Sequence, residues 1–343
     1  MPAVPFANVV QSAAELFRRL TTIAPKDPKL TIGLDIGSAS VKAIALGPRK
    51  GLGPRPVLAQ HLAPLDGGQD TNASEAIKTA VSALKLSSRS VNVGVSGQWV
   101  IMRVVEMPVM KPAELKQALP FEAQRYLPFN VRDVVLDGVV LGSSGPKKNW
   151  VLIVACKKEL VERRMDGVKQ AGCETALIDV DALALTNAFQ ASGAARRDGT
   201  RALINVGSQL TNLVILQGEV PYLVRDIPWG ADKLARGVAE HLGADAAAVA
   251  ASLVKGELTP DQRSSTELVT QALVDELQLS FDYFENRFGH PPEETFLSGG
   301  LGQSALFLDV LKRHLTQPVT PWTPGRGLTG QFAVAYGLAL RAS

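Results

Sequence analysis

Asp35 lies two residues before Gly37-Ser38-Ala39-Ser40, near the end of the run Leu30-Thr-Ile-Gly-Leu-Asp35-Ile36, and Lys42 lies in the second apolar run that ends at Leu46. The same arrangement returns as Ala202-Leu-Ile-Asn205-Val-Gly207-Ser208-Gln209-Leu-Thr211, followed by the apolar run to Leu216. Each copy predicts a β-hairpin whose tight tip carries glycine and hydroxyl groups. Backbone N–H groups at such a tip form a nest for phosphate, and glycine lets the phosphate approach without a Cβ in the way. A carboxylate beside the nest would repel phosphate unless a cation stood between them. With Mg²⁺ present, Asp35 holds the metal's water shell. Lys42 is the cation beside this turn, read either as a phosphate contact or as an exposed strand lysine. Two such hairpins suggest a duplicated domain with two phosphate loops facing each other across a cleft.

Other residues fit around that cleft. Gly299, Gly300 and Gly302 lie between a strand and a helix, where glycines let the chain pass flat against an adenine or ribose. By itself this turn is a weak signal, since glycine-rich strand-to-helix turns are common. Gly230 and Lys233 open the helix after the second hairpin, Lys233 being a phosphate contact or a solvated helix lysine. Glu276 and Ser280 lie four apart on a long helix, a spacing that would let both face a ribose. Where Asp35 has its counterpart the chain carries Asn205, which cannot act as a base. Asp179 and Asp181 are the other carboxylates in reach of the cleft, and the sequence leaves open which of them faces it. Ala184 and Ala188, and Ala333 and Gly337, give two helices small faces on which they could cross closely.

The elements that must hold these residues alternate between strands and helices, with antiparallel hairpins included, which predicts a mixed α/β architecture. Strands are expected at 91–95, 99–106, 134–141 and 150–156, the last two joined by a turn at 142–148. Helices are expected at 74–86, 111–126, 158–170, 231–242, 304–315 and 331–341, with a long helical stretch to Arg287 interrupted near 256–262. Pro120 should kink or break the second of these. Near the N-terminus Val9, Ala13, Leu16, Phe17 and Leu20 fall on one face of a short helix. A membrane-surface or partner-binding role is the alternative, but a helix this short and mildly basic is expected to pack on its own domain or to fray.

The chain has 343 residues, enough for two cores, and 46% hydrophobic with 20% charged residues is an ordinary globular composition. A net charge of +3 does not by itself point to nucleic acid. No apolar run reaches the length of a membrane span, and the first thirty residues lack the pattern of a secretory leader. Cys156 and Cys173 read as two reduced thiols, and His61, His241, His290 and His314 are scattered without metal-ligand spacing.

Two phosphate hairpins, two small-faced helices and one Gly-Gly turn, in this order, resemble the actin–hexokinase–heat-shock ATPase plan: a bilobed fold with duplicated mixed-sheet domains. Pro120-Phe121-Glu-Ala-Gln-Arg-Tyr126-Leu-Pro-Phe129, Arg225-Asp-Ile-Pro-Trp-Gly230 and Phe332-Ala-Val-Ala-Tyr-Gly-Leu-Ala-Leu add a more specific likeness. Together they resemble the PilM family of type IV pilus assembly proteins, relatives of FtsA with a similar inserted subdomain. The resemblance implies an N-terminal extension (1–29) and a first subdomain from 30–90, 177–200 and 326–343. It implies an insert at 91–176, then 201–225 with 290–325 as one further subdomain and 226–289 as another. It also implies ATP with Mg²⁺ in the interlobe cleft. The partner it implies is the N-terminal cytoplasmic peptide of the inner-membrane protein PilN, docked in a groove of the insert near Phe121, Tyr126 and Phe129. A link to pilus motor or platform proteins in twitching motility, and a cytoplasmic place at the inner membrane, come with it. With Asn205 in the second hairpin, slow or absent turnover is expected. The alternatives are a filament-forming ATPase like FtsA or actin and, further off, a small-molecule kinase of the same fold.

Overall fold

The computed structural model describes residues 30–49, 53–65, 73–196 and 198–341, so the N-terminal helix expected near residues 9–20 lies outside the described residues. Strands β1 (Thr31–Ile36) and β2 (Ser40–Leu46) form the first hairpin, and β3 (Val57–Pro64) adds antiparallel to β2. Helix α1 (Ala73–Ala83) leads to β4 (Ser90–Val95). Next come β5 (Val100–Pro108), α2 (Pro112–Ala123), β6 (Val134–Gly145) and β7 (Lys148–Lys157). Helix α3 (Lys158–Gln170), β8 (Glu174–Val180) and α4 (Asp181–Ala191) complete the first half.

The second half repeats the plan. Strands β9 (Thr200–Val206), β10 (Thr211–Gln217) and β11 (Val220–Ile227) precede three helices, α5 (Ala231–Leu242), α6 (Ala246–Lys255) and α7 (Pro260–Phe288). Then follow β12 (Glu294–Gly299), α8 (Ala305–His314), β13 (Val319–Pro321) and the closing helix α9 (Ala333–Leu340). The sheets run β3-β2-β1-β4-β8 and β11-β10-β9-β12-β13, each with three antiparallel strands and two added in parallel. The two hairpin tips close alike: Gly37 N–H donates to the Ser40 carbonyl at 3.1 Å, and Gly207 N–H to that of Leu210 at 2.9 Å. The duplication read from the two motifs is therefore a duplication of whole sheets.

A third sheet, β5-β7-β6, carries α2 on one face through Leu115, Leu119, Val151 and Ile153. Val91–Val95, expected within the insert, instead pairs in parallel with β1 and with β8 inside the first sheet. Its continuous apolar run is what a strand buried on both faces requires. Helix α3 likewise packs against β8 and α1. The strands of the insert are longer than expected, and only Pro146 and Lys147 separate β6 from β7. Helix α2 runs through Pro120 to Ala123 before it ends in a turn.

Helices α4 and α9, the latter through Tyr336, lie in one core with residues of both large sheets, among them Leu46, Leu203 and Val214. They cross very closely: a Cβ at Gly337 would stand 1.8 Å from the carbonyl oxygen of Ala184. Helix α9 is also seated on the first sheet, where a Cβ at Gly33 would stand 2.0 Å from the Ala335 carbonyl. Asn92 Nδ2 donates to the carbonyls of Leu338 and Arg341, each at 2.9 Å. This crossing fixes how the two sheets meet, and hence where their strand ends converge.

Candidate functional site

Four polar residues stand side by side across the second sheet. The register pairs Ser298 with Asn205, Asn205 with Asn212, and Asn212 with Asp226, so all four share one face. Their side chains are bonded in sequence. Ser298 Oγ donates to Asn205 Oδ1 at 3.3 Å, Asn205 Nδ2 to Asn212 Oδ1 at 3.0 Å, and Asn212 Nδ2 to Asp226 Oδ1 at 2.7 Å. The last member crosses to the other half of the molecule, where Asp226 Oδ2 accepts the Gly97 N–H at 2.7 Å. Gly97 belongs to the short loop that follows β4 of the first sheet.

On the first sheet Asp35 and Lys42 are register partners, and Lys42 Nζ lies 3.2 Å from Asp35 Oδ2. Lys42 also covers Gly37, where a Cβ would lie 3.2 Å from its Nζ. Asp181, the first residue of α4, lies among these carboxylates. Burial foremost, and then the neighbouring Asp35, push its pKa up to about 7, with Asp226 acting in the same direction. A hydrogen bond from Ser96 and the charge of Arg164 oppose that rise. Its carboxylate rests on Gly94, where a Cβ would stand 1.9 Å from Asp181 Oδ1. Asp226 is also raised by burial, against the pull of the Gly97 and Asn212 hydrogen bonds. Carboxylates from both sheets thus meet around Asp181.

Such a cluster favours a cation. Among the described residues no three His, Cys, Asp or Glu side chains come close enough to ligate a metal directly. Asp35, Asp181 and Asp226 are the side chains that could hold a divalent ion through its water shell. The question left by the sequence is answered: Asp179 turns away, 3.4 Å from Arg341 Nε, and accepts the Val180 N–H. The two cysteines are buried free thiols, and burial pushes the Cys156 pKa up to about 12.

The remaining expected residues divide. Ser38, Ala39, Ser40 and Gln209 lie at the two tips, with Ala39 and Gln209 exposed. Gly299, at φ +88°, presses the Gly-Gly turn onto the second hairpin, where its Cβ would lie 2.3 Å from the Val206 carbonyl. Gly300 is exposed, its Cβ position in ordinary contact with Gln331 Nε2 at 3.9 Å, and beside Gly302 lies a cavity of about 250 Å³ with Leu308, Pro321 and Trp322 among its walls. Ser208 and Thr211 are engaged inside the fold. Ser208 Oγ bonds Asp232, and the fully buried Thr211 hydroxyl donates to the Trp229 carbonyl at 2.7 Å. Gly230 is pressed on Ser208, its Cβ position 2.4 Å from that carbonyl, while Lys233 is exposed.

Glu276 and Ser280 are not brought to the polar row. Both bond Arg225, Ser280 Oγ accepting from Nη1 at 2.8 Å. Arg225 precedes Asp226 on β11, and neighbouring strand residues point to opposite faces. Phe121 is 81% exposed, and the exposed Tyr126 donates its hydroxyl to Glu122 at 3.0 Å. Half-buried Phe129 lies under Lys157 Nζ, 5.3 Å from its ring centre.

Comparison with known proteins agrees with this architecture. The family description "Type IV pilus assembly protein PilM" matches residues 33–343. The chain belongs to the PilM family. A structure of a PilM-PilN type IV pilus biogenesis complex is 24% identical, with a TM-score of 0.80 over 92% of this chain and 98% of that one. The ethanolamine utilization protein EutJ of Carboxydothermus hydrogenoformans is 13% identical, with a TM-score of 0.54 over 97% of this chain and 98% of its own. MreB5 of Spiroplasma citri, solved bound to ADP, is 12% identical, with a TM-score of 0.52 over 91% and 95% of the two chains. As a PilM-family member the chain has an actin-like fold, and among its described residues no helix is long and apolar enough to cross a membrane.

Proposed function

We propose that this protein is a nucleotide-holding adaptor of type IV pilus assembly. It binds ATP with Mg²⁺ between the two sheets and docks the N-terminal cytoplasmic peptide of a PilN-type inner-membrane protein on its insert. The observation that carries the first half is the convergence of Asp35, Asp181 and Asp226, drawn from both halves around one carboxyl. Asp35 would hold the ion through water, the Gly37 and Gly207 tips would flank the phosphates, and the Gly299–Gly302 turn would run beside the ribose and base. Bound Mg²⁺ would supply the positive charge between these carboxylates and the phosphates. Ser208 and Thr211 would then act through the shape of their tip, since their hydroxyls are engaged elsewhere.

The second half is supported by the family and by the surface of the insert around the sheet β5-β7-β6 and α2. Phe121, Tyr126 and Phe129 lie on it outside the core, suited to side-chain pockets for an extended peptide. Asn205 is bonded on both sides within the polar row and cannot take a proton from water. Asp181 is the carboxyl placed for that task, and its burial among like charges favours slow turnover at most. Such a protein works by binding: nucleotide sets how the halves meet, and the insert responds. Calorimetry with a synthetic PilN-type N-terminal peptide tests this. Peptide affinity should rise about 5- to 150-fold with ATP and Mg²⁺, the range of ordinary site-to-site coupling. Equal affinity in both conditions would contradict it.

A further inference from the structure

Two short segments join the carboxylate cluster to the insert. In the loop after β4, Ser96 bonds Asp181 and Gly97 N–H bonds Asp226, while Trp99 lies against cations of the insert boundary. Lys157 Nζ is 4.8 Å from the Trp99 ring centre, and the Arg163 guanidinium is 5.0 Å from it. Helix α3 begins directly after β7, so the sheet of the insert continues into this helix without a linker. Arg163 faces Trp99, and the next residue, Arg164, feels the charges of Asp181 and Asp35.

Arg164 is the unusual member. Its Nε is shut off from solvent and has no hydrogen-bond partner, a costly state for part of a charged group. Among the described residues it forms no close ion pair with either carboxylate that it senses. A guanidinium held near carboxylates but not on them leaves room for a group carrying both signs of charge. A phosphate with its cation is such a group, the cation toward Asp35 and phosphate oxygens toward the planar guanidinium.

We propose that Arg164 is a positioning residue for the terminal phosphate of the bound nucleotide. Through Arg163 on Trp99 it carries the presence of that phosphate to the Phe129 edge of the insert. The inference rests on the nucleotide reading above and adds what distinguishes ATP from ADP. The full chain is titrated with ATP and with ADP, both with Mg²⁺, as wild type, Arg164→Gln, Arg164→Lys and Arg163→Gln, each checked for folding by thermal melting. Arg164→Gln should weaken ATP at least tenfold and leave ADP within about twofold, with Arg164→Lys between it and wild type. Arg163→Gln should keep ATP affinity but lose the ATP-dependent change in tryptophan emission that Trp99→Phe also removes. Arg164 variants that leave both nucleotides unchanged, or weaken both equally, overturn the proposal. A wild type that binds neither nucleotide removes the nucleotide reading, and this proposal with it.

Discussion

Asp226 on the second sheet accepts the Gly97 N–H beside the first, at 2.7 Å, and so joins the two halves through one carboxylate oxygen. Its other oxygen accepts from Asn212, so a single side chain ends the polar row and makes the crossing.

Replacing Asp226 tests how much that link contributes. Asp226→Ala leaves the Gly97 N–H and the Asn212 amide without acceptors, and unsatisfied buried donors cost about 1–3 kcal/mol each. Urea unfolding should show a loss of about 2–6 kcal/mol. Asp226→Asn keeps an acceptor and should lose less. Equal stability of wild type and Asp226→Ala would show that the crossing bond has no weight.

Asp181 gives stability a pH dependence of definite sign. Its folded pKa is about 7 against the ordinary 3.8, so the folded chain keeps a proton that the unfolded chain releases. The stabilisation is complete below pH 3.8, declines as pH rises toward about 7, and is lost above that. Asp181→Asn should flatten this part of the stability curve, measured by denaturant midpoints in metal-free buffer. An unchanged slope in the variant would contradict the assignment.

The helix crossing should tolerate no added carbon. Gly337→Ala places its methyl 1.8 Å from the Ala184 carbonyl, which forces α4 and α9 apart. Overpacking of this kind costs about 1–3 kcal/mol, and backbone as the obstacle puts it at the upper end. Thermal melting should fall by several degrees, whereas Gly167→Ala, whose Cβ would meet nothing closer than Ile77 Cδ1 at 4.0 Å, lacks that clash. A melting point that does not move in Gly337→Ala would refute the close crossing.

The Asn205 row makes the missing carboxylate testable. Asn205→Asp cannot donate to Asn212 Oδ1, and turning the Asn212 amide to compensate would break its bond to Asp226. The variant should lose about 1–3 kcal/mol near neutral pH and recover part of it in acid, where the new carboxyl regains a proton. Chemical unfolding at the two pH values reads this. A gain in stability at neutral pH would count against the row.

Much of the fold was legible because the signals were local. The hairpin motifs at 35–42 and 205–211 marked two tips that close with the same hydrogen bond. The small residues Ala184 and Gly337 marked the crossing. Asp226 was not legible, for a physical reason. Counting outward from the β10–β11 turn at the pairing of Leu216 with Pro221 would put Arg225 opposite Asn212. An irregularity between Ile215 and Leu216 shifts the register by one residue and places Asp226 there. The same shift sends Arg225 to the other face, where it takes Glu276 and Ser280 away from the cluster. Arg164 and Ser96 were hidden because their roles depend on long-range packing of α3 and of the β4–β5 loop. By chain order alone Val91–Val95 reads as part of the insert, since its pairing with β1 is a long-range contact.

Calorimetric titration of ATP with Mg²⁺ into the full chain and into Asp35→Ala tests the nucleotide cleft most directly. The wild type should show one saturable site, weakened at least about tenfold in the variant, which should still melt cooperatively. Binding that is absent from the wild type, or equally tight without the Asp35 carboxylate, would contradict it.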